Sequence, residues 1–154
     1  MAKRLLIVYH SATGGAARML DAVLDGARNP DISDIEVCVR TALATSADEV
    51  LGAAGIILGT PENFGYMSGA LKDFFDRIYY PCLEHTPGLP YGLFIRAGND
   101  GRGAEQAVTR IVTGLRWRAV LPPVIINGEL DASRLKECTV LGATLAAGLE
   151  AGIF

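Results

Sequence analysis

Short apolar runs alternate with helical patterns five times along this chain, and that alternation limits the folds open to it. Residues 5–8 and 55–60 are apolar at successive positions, which is typical of strands buried on both faces. Residues 35–39 alternate in polarity, and residues 91–95 and 117–126 complete the set of strands. Because each strand is followed by a helical segment, the order predicts a doubly wound α/β fold, with a parallel sheet between two helical layers.

The helical segments have the apolar spacing of helices that pack on a sheet. They are predicted to begin near Gly14, Ser46, Ser68, Ala104 and Asp131. Ser46 and Glu49 form a capping-box pattern, whereas Ser68 and Asp131 are typical N-cap residues. The first helix should end before the Asn29-Pro30 pair, because a proline restricts the residue that precedes it.

Prolines also mark the ends of other elements. Tyr79-Tyr80-Pro81 is expected to close the third helix. Pro122 and Pro123 interrupt the fifth strand, which confines that segment to a sheet edge or a bulge, since proline has no N–H for the ladder.

Length and composition indicate one domain, residues 1–154, with a substantial core, because half of the 154 residues are apolar. The net charge of −3 gives no basic footprint for nucleic acid. Three well-separated cysteines and two histidines offer no metal-ligand cluster. The N-terminal stretch lacks a signal-peptide core, and no apolar run reaches membrane-spanning length, so we expect a cytoplasmic protein.

The first strand leads into a loop that we call loop 1, residues 9–16, in which Ser11, Thr13, Gly14 and Gly15 precede a helix. Hydroxyls, flexible backbone and the free N–H groups of a first helical turn make a site suited to a phosphate. A Walker loop is excluded, because the chain has no lysine between Lys3 and Lys72. The glycine spacing also fails to match a dinucleotide fingerprint. The alternative is that Ser11 and Thr13 only cap the helix.

Two further loops follow strand ends: loop 2, residues 61–67, and loop 3, residues 97–103. Ligands of doubly wound sheets bind beyond the carboxyl ends of the strands, where the strand order reverses. All three loops are rich in glycine or small polar residues, so their expected location at one edge predicts a shared binding site.

Residues 59–77 are the most specific stretch: a P-x-x-F-G-x-M-S loop runs into a K-x-F-x-D-R helix. This stretch resembles the flavin-ring loop and following helix of flavodoxin-like NAD(P)H-dependent FMN reductases and NAD(P)H:quinone reductases. The resemblance extends over the whole chain and implies a flavodoxin-like three-layer fold, with a five-stranded parallel sheet of order 2-1-3-4-5. It implies that FMN is bound by these residues: Ser11, Thr13, Gly14, Gly15, Ala16, Pro61, Glu62, Asn63, Phe64, Gly65, Tyr66, Ala97, Gly98, Asn99, Asp100 and Gly103.

Within that set several roles stay open. Tyr66 either lines the flavin ring or anchors the start of the third helix, and Asn99 and Asp100 either border the flavin or form a turn. Flavodoxin phosphate loops usually carry a third hydroxyl where this chain has Ala16, and Arg18 lies near enough in sequence to compensate. Loop 3 has no aromatic residue, whereas electron-carrier flavodoxins usually cover the ring there with one.

The resemblance implies an FMN-binding oxidoreductase with NAD(P)H as co-substrate and a quinone-like acceptor. Because the cofactor carries the chemistry, no catalytic acid or base is assigned. One alternative is a flavodoxin-type carrier that meets a redox partner protein and has no small substrate of its own. Another is a binding domain that has lost the cofactor, for which Ala16 is the best evidence. The apolar C-terminus is compatible with a homo-oligomer.

Overall fold

The computed structural model describes residues 2–154 as alternating strands and helices. The strands are β1 (Lys3–Tyr9), β2 (Ile35–Thr41), β3 (Gly55–Asn63), β4 (Tyr66–Met67), β5 (Pro90–Arg96), β6 (Arg118–Ala119) and β7 (Val124–Ile126). The helices are α1 (Gly15–Ala27), α2 (Ala47–Leu51), α3 (Gly69–Cys82), α4 (Arg102–Gly114) and α5 (Ala132–Ala151), with a 3-10 turn at Ala42–Ala44.

The sheet has the order β2-β1-β3-β5, and both β6 and β7 then pair with β5. All these pairings are parallel, so the predicted fold and core strand order are confirmed. The fifth predicted strand is divided: Arg118 pairs with Pro90, whereas Val124 pairs with Phe94. Pro122 and Pro123 lie in the gap, where missing N–H groups remove the ladder bonds. The division therefore lies at a sheet edge, as expected.

Helices cover both faces of the sheet because the central strands point apolar side chains in both directions. Leu5, Ile7 and Phe94 pack on the side of α1 and α5. Leu6 and Leu58 pack on the opposite side, among residues of α2, α3 and α4. The predicted apolar runs thus form two cores, one on each face of a single sheet.

Helices α1 and α5 cross with their backbones in close approach. A Cβ built on Gly26 of α1 would overlap the Thr139 carbonyl oxygen, and one built on Gly142 of α5 would overlap that of Val23. Each glycine therefore makes room for the backbone of the other helix.

Three sequence-based boundaries were wrong. Strand β3 continues past Thr60 to Asn63, because its last residues pair antiparallel with β4. Helix α3 continues through Pro81 to Cys82, and Leu83 then donates its N–H to the Tyr79 carbonyl at 2.8 Å. Helix α4 begins at Arg102, two residues before the apolar pattern starts. Each error lies at an element end, where hydrogen bonds extend beyond the apolar pattern.

The capping predictions are confirmed. Ser46 and Glu49 form a reciprocal capping box at α2. Ser68 accepts from the Leu71 N–H, and Asp131 accepts from the Arg134 N–H. None of the helices in residues 2–154 is long and apolar enough to cross a membrane.

Candidate functional site

Loops 1, 2 and 3 leave three adjacent parallel strands at the same edge of the sheet. Tyr9 of β1 is in register with Gly59 of β3, and the His10 N–H donates to the Gly59 carbonyl at 3.0 Å. Pro61 of β3 is in register with Arg96 of β5. The fold therefore brings the three predicted loops together, as the parallel topology requires.

Within loop 1, Gly14 is the N-cap of α1 and has φ of 97°. This left-handed conformation favours glycine, and no side chain caps the helix from that position. The Ser11 hydroxyl instead accepts from the Ala17 N–H at 3.2 Å. Within residues 2–154, the N–H groups of Gly15 and Ala16 have no acceptor in any described hydrogen bond.

The side chain of Ala16 is buried, with 2% of its surface exposed. Because alanine has no hydroxyl, residue 16 offers a ligand only its backbone N–H. Thr13 is exposed and leaves its hydroxyl available to a ligand. Ser11 has a capping role in the structure, which does not exclude a second hydrogen bond from its hydroxyl proton.

Two arginines lie near loop 1, and only one of them, Arg18, was considered in the sequence analysis. Arg18 donates to the Leu130 carbonyl at 3.1 Å and is thereby turned toward the β7–α5 connection. Arg96, which the sequence analysis missed, lies against Gly15: its Cγ and Nε would each be 2.9 Å from a Cβ built there. One feature of the sequence could have identified Arg96: it is the single charged residue of β5 and lies at the end of that strand.

Loop 2 is a β-hairpin rather than an irregular loop. Asn63 pairs with Tyr66 across two residues, Phe64 (φ 52°) and Gly65 (φ 69°). Two consecutive positive φ values indicate a type I′ turn, which matches the twist of a hairpin. A Cβ on Gly65 would meet no atom within 4 Å, so there is room for a side chain. The positive φ, which glycine adopts without strain, is therefore the reason for a glycine at this position. Phe64 is fully exposed at the tip of the turn.

Buried hydroxyls hold the base of this hairpin. The Ser68 N–H donates to Thr60 Oγ1 at 2.9 Å, and Thr60 Oγ1 donates to the Pro61 carbonyl at 2.8 Å. Both side chains are buried. Tyr66 is 41% exposed, so its ring lies on the surface beside the start of α3.

Glu62 joins loop 2 to loop 3. Its Oε1 accepts from the N–H groups of Gly98 at 3.0 Å and Asn99 at 2.7 Å. Its Oε2 accepts from the Gly101 N–H at 3.2 Å. The side chain of Glu62 therefore shapes loop 3 instead of projecting into open solvent.

The two loops also touch through backbone. A Cβ on Gly103 would overlap the Gly65 carbonyl oxygen, so only glycine permits this contact. The Asn99 carbonyl accepts from Asn127 Nδ2 at 3.1 Å, whereas Asp100 Oδ1 accepts from the Arg102 N–H at 3.1 Å. Asn99 and Asp100 thus form a turn, which is one of the two roles left open by the sequence.

Clefts open beside these loops. One of about 330 Å³ is lined by residues of loop 1, including Tyr9, His10 and Ser11. Another, of about 600 Å³, lies beside Gly65, Tyr66 and Gly103. The loops therefore border concave surface that a planar or phosphorylated ligand can enter.

Comparison with known proteins identifies the family. The profile of the NADPH-dependent FMN reductase family matches residues 30–129, which include loops 2 and 3. This chain belongs to that family. A relative named NAD(P)H dehydrogenase (quinone), from Acidithiobacillus ferrooxidans, is 35% identical over 139 residues, covering 77% of this chain and 68% of the relative.

The chain is also similar to proteins that are named flavodoxins. One from Aquifex aeolicus is 30% identical over 112 residues, covering 73% of this chain. The aligned region spans 60% of that flavodoxin's length. A solved flavodoxin structure from the domain Archaea superposes with a TM-score of 0.82 at 20% identity, over 96% of this chain and 99% of that one. An FMN-binding oxidoreductase is the class of protein that these findings support.

The residues present fit FMN. Loop 1 supplies backbone N–H groups and a hydroxyl, and within residues 2–154 no carboxylate is hydrogen bonded to it. This donor set suits a phosphate ester, which carries negative charge and accepts hydrogen bonds. The family profile begins at residue 30, after loop 1. The family match therefore does not bear on loop 1, and the fit to a phosphate rests only on the donors of that loop.

Proposed function

We propose that this chain is an NAD(P)H-dependent FMN oxidoreductase that passes two electrons to a quinone or a similar acceptor. The observation that carries the proposal is the edge where loops 1, 2 and 3 meet, two of which lie within the region matched by the family profile. The name of the Acidithiobacillus relative supports the choice of a quinone-like acceptor.

Loop 1 would hold the phosphate. The N–H groups of Gly15 and Ala16 and the hydroxyls of Ser11 and Thr13 are the donors, and Gly14 gives the backbone the required bend. Since the first turn of α1 carries no acidic residue, an anion there meets no repulsion from that turn.

Loops 2 and 3 would border the flavin ring. Their contribution is mainly backbone, from Pro61, Glu62, Asn63, Phe64, Gly65 and Tyr66 on one side and from Ala97, Gly98, Asn99, Asp100 and Gly103 on the other. FMN, when bound, would supply the chemistry of hydride and electron transfer. The loops would hold and orient its ring. Loop 3 has no aromatic side chain to cover a face of that ring, so a nicotinamide or quinone could stack on it.

The second candidate is a flavodoxin-type carrier that exchanges electrons with a partner protein. The Aquifex relative's name favours it. A binding domain without cofactor is a third class, motivated by Ala16.

We also propose that residues 1–154 form a single FMN-binding domain in the cytoplasm, and that the chain associates with itself.

The visible absorption spectrum of the purified protein, after incubation with FMN and gel filtration, tests the proposal. We expect the protein to retain flavin absorption bands, and these bands should disappear within seconds when NADH or NADPH is added. With a quinone such as menadione present, the protein should oxidise NADH or NADPH at a steady rate. Retained FMN without nicotinamide oxidation would favour the carrier. Failure to retain FMN would favour the cofactor-free domain.

The kinetic pattern provides a second test. If nicotinamide and quinone use one ring face in turn, then double-reciprocal plots at several quinone concentrations should be parallel, as in a ping-pong mechanism. Intersecting plots would instead mean that both substrates bind at once.

A further inference from the structure

The side chain of Arg96 reaches from the end of β5 to Gly15, in the first turn of α1. Its Cγ, Cδ and Nε lie along Gly15, where a Cβ would come within 2.9 to 3.1 Å of them. Its Nη1 donates to the Ile126 carbonyl at 3.3 Å, a long hydrogen bond. None of the ion pairs formed within residues 2–154 includes Arg96.

The charge of Arg96 has the same sign as the helix end beside which its side chain lies. A helix N-terminus carries a partial positive charge, so a guanidinium there is repelled. The first turn of α1 contains no acidic residue to offset this repulsion. An anion on loop 1 would be attracted by both the guanidinium and the helix end.

We propose that Arg96 contacts the phosphate of FMN and supplies the hydrogen bond that a third loop hydroxyl provides elsewhere. Ala16 cannot provide it, because a methyl side chain has no hydrogen-bond donor. Arg18 is bound to the Leu130 carbonyl instead. Arg96 reaches the same turn from β5, and its Nε and Nη2 have no acceptor among the hydrogen bonds of residues 2–154. This inference rests on the proposed function, because it assumes that loop 1 binds FMN.

The proposed role of Arg96 also explains why residue 15 is a glycine. Any side chain at residue 15 would displace the Arg96 stem, so glycine there keeps the guanidinium beside the loop. Gly14, by contrast, has nothing within 4 Å of a built Cβ and is required for its φ of 97°. The two adjacent glycines thus have different functions.

The test compares FMN with riboflavin, which lacks the phosphate, in fluorescence titrations of the apoprotein. Arg96→Gln removes the charge and keeps a polar side chain. We expect FMN to bind this variant about 10- to 100-fold more weakly, the range for losing a hydrogen bond to a charged group. Riboflavin affinity should stay within twofold. Arg96→Lys should recover part of the loss.

Arg18→Gln is the matched control, because it removes the same charge from the same end of α1. It should change FMN affinity much less than Arg96→Gln does. Equal losses in the two variants would mean a general field effect and would overturn the assignment. So would an unchanged preference for FMN over riboflavin in Arg96→Gln.

Failure of the proposed function would look different. If the wild-type protein does not prefer FMN to riboflavin, then loop 1 is not a phosphate site and the larger proposal fails. If the wild type prefers FMN and only the Arg96 effect is absent, then the phosphate site stands without Arg96. Thermal unfolding of each apoprotein checks that the variants are folded. If Arg96→Gln does not fold, then an unchanged FMN preference in Arg96→Met overturns the assignment, because methionine keeps an unbranched apolar stem and removes the charge.

Discussion

Glu62 and Asn99 are joined by a 2.7 Å hydrogen bond in which the Asn99 N–H donates to the Glu62 carboxylate. The same carboxylate accepts from Gly98 and Gly101, so three backbone donors of loop 3 depend on one side chain of loop 2. Hydrogen bonds to an ionised acceptor are stronger than neutral ones. The shape of loop 3 is therefore set from the neighbouring strand.

Replacing Glu62 by glutamine should loosen loop 3. An amide nitrogen cannot accept, so at least one of the three N–H groups loses its acceptor, and we expect unfolding free energy to fall by about 1–3 kcal/mol. Urea unfolding and amide exchange of Gly98, Asn99 and Gly101 measure the effect. Glu137→Gln, on the exposed surface of α5, is the control and should change neither quantity. Unaltered exchange in loop 3 would show that the carboxylate is dispensable.

The two hydroxyls of loop 1 should separate stability from binding. Thr13→Ala removes an exposed hydroxyl, so FMN affinity should fall by about 1–2 kcal/mol with no change in stability. Ser11→Ala also removes the acceptor for the Ala17 N–H, so the apoprotein should lose about 1 kcal/mol as well. FMN and riboflavin titrations with thermal melts distinguish the two. Equal affinity of the wild type for both flavins would remove the basis for either effect.

Gly65→Val should disturb the hairpin turn. A β-branched residue at φ of 69° is strained by about 1–3 kcal/mol. We expect the variant to fold with lower stability and to lose FMN or shift its reduction potential. Gly69→Ala, which has open space and no positive φ, is the matched control. A Gly65→Val protein with wild-type potential would show that this turn does not border the flavin.

Gly142→Ala should destabilise the crossing of α1 and α5. Its Cβ would overlap the Val23 carbonyl oxygen, and backbone cannot yield as a flexible side chain does. We expect the free energy of unfolding to fall by about 1–3 kcal/mol, as it does in overpacked cores. Val140→Ala, at a position 49% exposed on the same helix, is the control. Similar melting temperatures for the two variants would argue against backbone contact.

Thiol labelling should follow burial. Burial raises the pKa of Cys82 to about 11 and that of Cys138 to about 12. A raised pKa leaves less of the reactive thiolate, so at pH 8 both should react slowly, and faster as pH increases toward 10. Cys38, whose pKa is raised less strongly and mainly by burial, is half-buried and should react first with Ellman's reagent. Mass spectrometry of the labelled peptides identifies the order.

The fold could be predicted well from sequence because the signals are local and repeated. Residues 5–8 and 55–60 are apolar on both faces, and only a sheet covered by two helical layers buries such strands. The helix starts at Ser46, Ser68 and Asp131 were equally predictable, since a cap acts within one helical turn. The division of the last strand followed from Pro122 and Pro123.

The positions of the three loops also followed from sequence, but their contacts did not. That Phe64 and Gly65 form a hairpin turn depends on pairing between β3 and β4, which extends the strand beyond its apolar run. The attachment of Glu62 to loop 3 joins residues more than thirty positions apart. No local periodicity encodes such pairs.

The sequence by itself thus determined the order of elements, the two cores and the sheet edge at which the candidate loops lie. Apolar periodicity and helix capping, which carry this information, act over a few residues. Only the tertiary structure decided which side chains meet at that edge. It turned Arg18 toward Leu130, placed Arg96 against Gly15 and packed Ala16 inward. Those outcomes depend on strand register and helix crossing, which are fixed by the packing of the whole chain.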